Sequence, residues 1–116
     1  MELLDSCIER VEAINPAVNA IVTKSYERAR LEVRAAERAV MRGDQLGLLH
    51  GLPAAIKDLN KTAGIRTTFG SSLYRDHVPL ADEGVVQRMR QQGAIILGKT
   101  TPAVYCRRPF CHCRVC

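Results

Sequence analysis

A chain of 116 residues, 47% apolar and 25% charged, is long enough for one domain with a modest core and has the balance of an ordinary globular protein. Its net charge of +5 is mild, Arg107, Arg108 and Arg114 supply three of it, and three Tyr, two Phe and no Trp offer few stacking platforms, so nothing points to nucleic acid. No apolar run approaches the roughly 20 residues of a membrane span, and Met1-Glu2-Leu3-Leu4-Asp5 lacks the basic start of a signal peptide, so the expectation is a cytoplasmic protein without a membrane partner.

In chain order, residues 3 to 14 read as an amphipathic helix with Leu3, Leu4, Cys7, Ile8, Val11 and Ile14 on one stripe. Asn15-Pro16 is expected to stop it, because a residue before proline is pushed out of the helical region. Cys7 reads as a small core hydrophobe rather than a nucleophile. Ala20 to Thr23 is a short extended piece. Ser25 is a suitable N-cap for a second helix reaching Met41, with Ala29, Val33, Ala36 and Val40 on its apolar face and Gly43-Asp44 at its end. The charge on the opposite face mixes arginines with glutamates, which favours solvent over a membrane or nucleic-acid surface.

Leu49-His50-Gly51-Leu52-Pro53-Ala54-Ala55-Ile56-Lys57-Asp58 runs from a turn into a short strand that delivers Lys57 at its end. Leu52 to Ile56 carries no polar side chain, which suits a strand covered on both faces. A lysine at the mouth of such a strand either reaches water or is partly desolvated, and in the second case its pKa falls and it can act as a base. Asp58 creates a tension. If the strand continues it faces away from Lys57; if the chain turns, its carboxylate could hold Lys57 protonated.

Residues 59 to 81 read as a loop long enough to carry substrate contacts. His50 and His77 lack metal-ligand spacing, and Gly70-Ser71-Ser72 lacks the G-x-S-x-G elbow, so both serines read as turn formers. Asp82 is expected to cap a helix to about Gln92, with Val85, Val86 and Met89 inward. Ala94 to Leu97 then forms a second buried strand, making a candidate parallel pair.

Gly93-Ala94-Ile95-Ile96-Leu97-Gly98-Lys99-Thr100 satisfies the letters of a phosphate-binding P-loop. That motif needs a strand before it, a flexible loop within it and a helix after it, with N–H groups turned onto phosphate. Here a helix precedes Gly93, the intervening residues prefer a strand, and Pro102 comes soon after, so nucleotide binding is the weaker reading. From Cys106 the chain reads Cys-Arg-Arg-Pro-Phe-Cys-His-Cys-Arg-Val-Cys. Two readings compete: an out-of-frame tail beginning near Thr101, or a zinc site from Cys106, Cys111, His112, Cys113 and Cys116. Cys113-x-x-Cys116 has a common ligand spacing, but a closed site usually wants two separated pairs.

The segment Leu49 to Asp58 resembles the opening of the amidase signature family, serine hydrolases that cleave carbon–nitrogen bonds of amides. The similarity continues through Lys61 to Ser72, through Asp82 to Met89, and through Gly93 to Thr100. Ile14-Asn15-Pro16-Ala17-Val18-Asn19-Ala20 adds a weaker block near the start. These blocks keep the family's order over about residues 5 to 102 and fade at Thr101-Pro102-Ala103-Val104-Tyr105. The resemblance implies an α/β fold in which N-terminal helices precede a strand–helix–strand unit, part of the amidase signature sheet. It implies an incomplete domain over residues 1–102, with 103–116 outside it.

It also implies that Lys57 is the catalytic lysine of a Ser–cis-Ser–Lys triad acting on a small-molecule amide, with no cofactor and no metal. Both serines of that triad lie in a downstream Gly/Ser-rich stretch that the 116 residues do not contain. The chain alone is therefore expected to be inactive, to expose apolar surface, and to be prone to self-association. The alternative is a P-loop-like or zinc-binding module.

Overall fold

The computed structural model of this chain describes residues 1–102, in the order α1 (Glu2–Val18), β1 (Ile21–Lys24), α2 (Tyr26–Arg42), β2 (Pro53–Lys57), α3 (Gly84–Gln91) and β3 (Ile95–Thr100), with a 3₁₀ turn at Ser72–Tyr74. The three strands form one sheet in the order β1-β3-β2. β3 lies between the others, parallel to β2 and antiparallel to β1. The strand–helix–strand unit expected from Leu52 to Leu97 is thus the parallel β2–α3–β3 crossover.

Two cores sandwich the sheet. Leu4 and Ile8 of α1 and Ala29 and Val33 of α2 pack with Ile95 and Leu97 on one face. On the other, Val86 of α3 and Ile65 of the connecting segment pack with Ile56 and Ile96. β3 is buried from Ile95 to Lys99, as its place between two strands and two cores requires.

Several elements depart from expectation for identifiable reasons. Helix α1 runs through Pro16 to Val18, because a proline one turn from a helix end forfeits only its own hydrogen bond. The helix closes on Asn19 in the left-handed conformation, whose N–H donates to the Asn15 carbonyl at 2.7 Å. The Asn15 side chain meanwhile clamps both backbone groups of Ile21, at 2.8 and 2.9 Å, and so sets the start of β1. Leu3 and Ile14 of the expected stripe are exposed. Ser25 sits at the cap of α2, but its side chain makes no capping bond.

The first residue of α3 is Gly84 and its cap is Glu83, not Asp82. Asp82 is spent elsewhere: it accepts from the Ala63 N–H at 2.7 Å and pairs with Arg90 at 3.2 Å. β3 extends three residues beyond the expected Leu97, since Gly98, Lys99 and Thr100 all pair with neighbours. β2 is not covered on both faces. Ile56 is buried, whereas Ala55 and Lys57 on the opposite side are exposed.

The β2–β3 register holds a bulge, with Ala54 opposite Ile96 but Ala55 opposite Gly98. The extra residue reverses which face the later side chains of β3 point to. Ile96 and Lys99, three apart, therefore share the face of Ile56. Gly98 is required at this point, because a Cβ there would lie 2.5 Å from the Thr23 carbonyl oxygen of β1. Gly93 combines a φ of +85° with His50 backbone 2.8 Å from where its Cβ would sit, so the turn into β3 also admits only glycine.

Gly98→Ala is expected to destabilise the fold by roughly 1–3 kcal/mol through overpacking against β1. Urea unfolding of the two chains side by side measures it, and equal midpoints would contradict the close approach of β1 to β3.

Candidate active site

Lys57 ends β2, and its orientation is set by the residue after it. The Asp58 N–H donates to the Thr100 carbonyl at 3.0 Å, extending the β2–β3 ladder by one residue. Asp58 consequently points to the face opposite Lys57, where it is buried. There its carboxylate accepts from the Thr68 N–H at 3.0 Å and from the Thr68 hydroxyl in a short bond. The tension between the two neighbours is thereby resolved: Asp58 is engaged by Thr68 and faces away from Lys57. The Lys57 carbonyl accepts from the Asn60 N–H at 3.0 Å, turning the chain immediately after the strand. Within residues 1–102 the Lys57 side chain is exposed beside that of Ala55.

The desolvated amine of this chain is another lysine. Lys99 is fully buried, and its ammonium donates to the Asn60 carbonyl at 2.5 Å, the Thr62 hydroxyl at 2.8 Å and the Thr67 hydroxyl at 3.1 Å. Each hydroxyl in turn donates to a nearby carbonyl, Thr62 to Asn60 and Thr67 to Ile65, leaving lone pairs for the ammonium. Burial pulls the Lys99 pKa down from its ordinary value to about 8, against the smaller opposing pull of Asp58, Glu83 and Asp82. Sequence reasoning met this residue only as the lysine of a P-loop spelling. A lysine closing a run of buried strand residues, with a threonine-rich loop in the same unit, was the available signal.

The P-loop reading fails on the backbone. Ile95 to Thr100 is a strand with partners on both sides, so its N–H groups are committed to the sheet and do not curl around an anion. The zinc reading rests on residues outside those described. Among the described residues, no three His, Cys, Asp or Glu side chains gather as metal ligands.

Both histidines among the described residues, His50 and His77, are structural. The ring of His50 contacts the Ala36 carbonyl at 3.1 Å, tying the entry of β2 to α2. His77 joins Phe69 and Tyr74 in a cluster with ring centroids 5.2–5.8 Å apart. Ser71 caps the 3₁₀ turn by accepting from the Leu73 N–H, the turn-forming part its sequence suggested. Cys7 is half-buried against the α1–α2 core.

The family model for Amidase matches residues 2–103. The chain belongs to the amidase family. It is 43% identical over 98 residues to a glutamyl-tRNA(Gln) amidotransferase subunit of Moorella thermoacetica, covering 84% of this chain and 20% of that protein. It is 39% identical over 99 residues to an acylamidase of Rhodococcus erythropolis, covering 85% and 21%. Among solved structures, an inhibitor-bound complex bearing on the origins of an s-triazine catabolic enzyme superposes with a TM-score of 0.81 at 33% identity, over 86% of this chain and 22% of that one. A bacterial aryl acylamidase of the amidase signature family gives 0.78 at 30%, over 85% and 21%. The chain thus spans about a fifth of the length of the relatives it matches. The mixed α/β arrangement is that of amidase signature enzymes. No helix among the described residues is long and apolar enough to cross a membrane.

Lys99 supplies a pH prediction whose sign comes from its lowered pKa. Between about pH 8 and the ordinary value of 10.5 the unfolded chain binds more protons than the folded one, so stability rises with pH across that window. Lys99→Met cannot titrate and should lose that rise. Urea midpoints measured from pH 7 to 10.5 test this, and parallel profiles for the two chains would contradict it. Asp58→Ala leaves the buried Thr68 N–H without its acceptor and should cost about 1–3 kcal/mol in the same assay.

Proposed function

We propose that these residues form the lysine-bearing part of an amide hydrolase, with Lys57 as the catalytic base of a Ser–cis-Ser–Lys triad. The observation that carries the reading is the placement of Lys57. It ends a parallel strand, it faces open space on the side away from Asp58, and it stands in a chain whose family is that of amidases. The C-terminal ends of parallel strands are where α/β folds build their sites. An ammonium free of its neighbouring carboxylate can lose its proton once a covering element removes water from it.

In this mechanism the neutral Lys57 amine takes a proton, through a bridging serine, from a second serine that attacks the amide carbonyl. The C–N bond breaks as the proton is passed to the leaving amine. Water then hydrolyses the acyl-enzyme, again with Lys57 as the proton acceptor. Both serines belong to sequence beyond these 116 residues. Ser71 and Ser72 do not fill their place, since Ser71 is spent on the 3₁₀ turn and neither is joined to Lys57 by a hydrogen bond. The substrate class is a small-molecule amide, and a cytoplasmic setting fits a chain with no membrane-spanning helix among its described residues.

The purified chain should give no turnover of an aryl amide such as p-nitroacetanilide above buffer. Turnover by the chain alone that disappears in Lys57→Ala would overturn the assignment of the serines to other sequence. In a polypeptide that includes the Gly/Ser-rich stretch, Lys57→Ala should lower kcat/KM by roughly 10³-fold or more, as expected for a triad member. Unchanged hydrolysis there would remove Lys57 from the mechanism.

A further inference from the structure

Two ties hold the backbone just after Lys57. The Asp58 N–H donates to the Thr100 carbonyl at 3.0 Å, and the Lys57 carbonyl accepts from the Asn60 N–H at 3.0 Å. These groups are the two ends of one planar peptide unit, the one that follows Lys57. Fixing both ends sets the backbone rotation at Lys57, and with it the direction in which the side chain leaves the sheet. The first tie is made by β3 directly. The second is only as firm as Asn60, a residue beyond the end of β2 that pairs with no strand.

Asn60 is anchored in turn at its own carbonyl, which accepts from the Lys99 ammonium at 2.5 Å and from the Thr62 hydroxyl at 3.1 Å. That hydroxyl itself accepts from Lys99 at 2.8 Å, so both donors on the Asn60 carbonyl are set by the one ammonium. The two ties therefore run back to consecutive residues of the central strand, Lys99 and Thr100. A methionine would fill the Lys99 site without desolvating a charge, and apolar replacement of buried ions often leaves stability unchanged or raised. What the ammonium adds is direction. Charge-assisted hydrogen bonds are about twice as strong as neutral ones, and those to Asn60 and Thr62 both bear on the turn after Lys57.

We infer that Lys99 is a positioning residue for Lys57: its buried ammonium holds the Asn60 carbonyl, and Asn60 closes the turn that fixes where Lys57 points. The inference rests on the function proposed above and adds to it a residue that touches no substrate. The charges that bear on this ammonium are the carboxylates of Asp58, at the end of β2, and of Glu83 and Asp82, ahead of α3. Arg90 of α3 offsets Asp82 at 3.2 Å. Burial outweighs these carboxylates and draws the Lys99 pKa down to about 8. As pH rises through that value the ammonium becomes a neutral amine and its hold on Asn60 weakens.

The test follows hydrogen exchange in the 116-residue chain at three amides: Asn60, which reports the turn, and Asp58 and Ile95, which report the β2–β3 ladder. In Lys99→Met the Asn60 amide should exchange at least about ten-fold faster, as expected of a local opening, while Asp58 and Ile95 keep their protection. In the unsubstituted chain, protection of Asn60 alone should fall between about pH 7 and 9 after correction for intrinsic exchange, and Lys99→Met should show no such fall. Equal acceleration at all three amides overturns the inference, because Lys99 would then support only the core. Unchanged exchange at Asn60 overturns it too. If Lys99→Met does not fold, the titration of the unsubstituted chain decides, and flat protection of Asn60 overturns the inference.

A second arm uses the polypeptide that includes the Gly/Ser-rich stretch and p-nitroacetanilide as substrate. Lys99→Met should lower kcat at least about ten-fold with little change in KM, because a displaced base slows the chemical step more than binding. Unchanged kcat there, while Lys57→Ala abolishes turnover, overturns the positioning role. Turnover insensitive to Lys57→Ala sinks the function proposed above instead, and the hold of Lys99 on the direction of Lys57 then stands on the exchange result.

Discussion

The fold depends on the burial of β3, and above all on how that strand accommodates a charged residue at its most enclosed point. A lysine at full burial is costly unless every donor is satisfied. Lys99 meets that condition with three oxygens drawn from a single short segment, Asn60, Thr62 and Thr67. The same interaction runs the other way. The segment from 59 to 68 has few apolar side chains of its own to bury, and the ammonium gives its carbonyls and hydroxyls a common point to converge on. The bulge at Leu97 makes this possible. Without the extra residue Lys99 would face the helices α1 and α2, where Leu4, Ile8 and Val33 offer it no acceptor. A local irregularity in register thereby decides which layer of the domain receives the charge.

What the sequence made legible was what hydrophobic period and punctuation encode. The centres of the apolar faces of α1 and α2, the strand delivering Lys57, the crossover helix with Val86 inward and the apolar start of β3 announce themselves locally, whereas Val40 of the expected α2 face and Val85 of the expected inward side of α3 are exposed, because neither has an element packed over it. The family resemblance, carried by several blocks in order, extended this to the sheet as a whole. Three things were hidden. Pro16 reads as a stop, yet in the last turn of a helix it costs a single bond, and only the Asn15 clamp on Ile21 reveals where the chain turns. Asp82 reads as a cap, but an acidic residue before a helix has other donors within reach, and those of Ala63 and Arg90 win. Lys99 was invisible because strand register, and hence side-chain face, depends on pairing that no local pattern records.

The two lysines that close the parallel strands divide two properties that a catalytic base must combine. Lys99 is desolvated, with its pKa drawn down to about 8, but its nitrogen is saturated by hydrogen bonds and sealed from any substrate. Lys57 is accessible, but nothing among residues 1–102 removes water from it. Burial alone would nominate Lys99, whose nitrogen no substrate can reach. A proton acceptor must reach the reacting group as well as have a suitable pKa, and only Lys57 stands on an open face.

Asp58 is the hinge of that arrangement. By continuing the ladder to Thr100 for one residue past Lys57, it directs its carboxylate into the polar layer beneath the sheet, where Thr68 binds it and its charge is felt by Lys99. Had the chain turned one residue earlier, the carboxylate would have come round to the face of Lys57 and held that ammonium charged. The alternation of strand side chains therefore has a chemical consequence. It sends the negative charge to the buried lysine, whose part is structural and which must stay hydrogen-bonded. It withholds that charge from the exposed lysine, the one assigned the base's part in the proposed mechanism. A base built on this strand owes its freedom to a single additional residue of β-ladder.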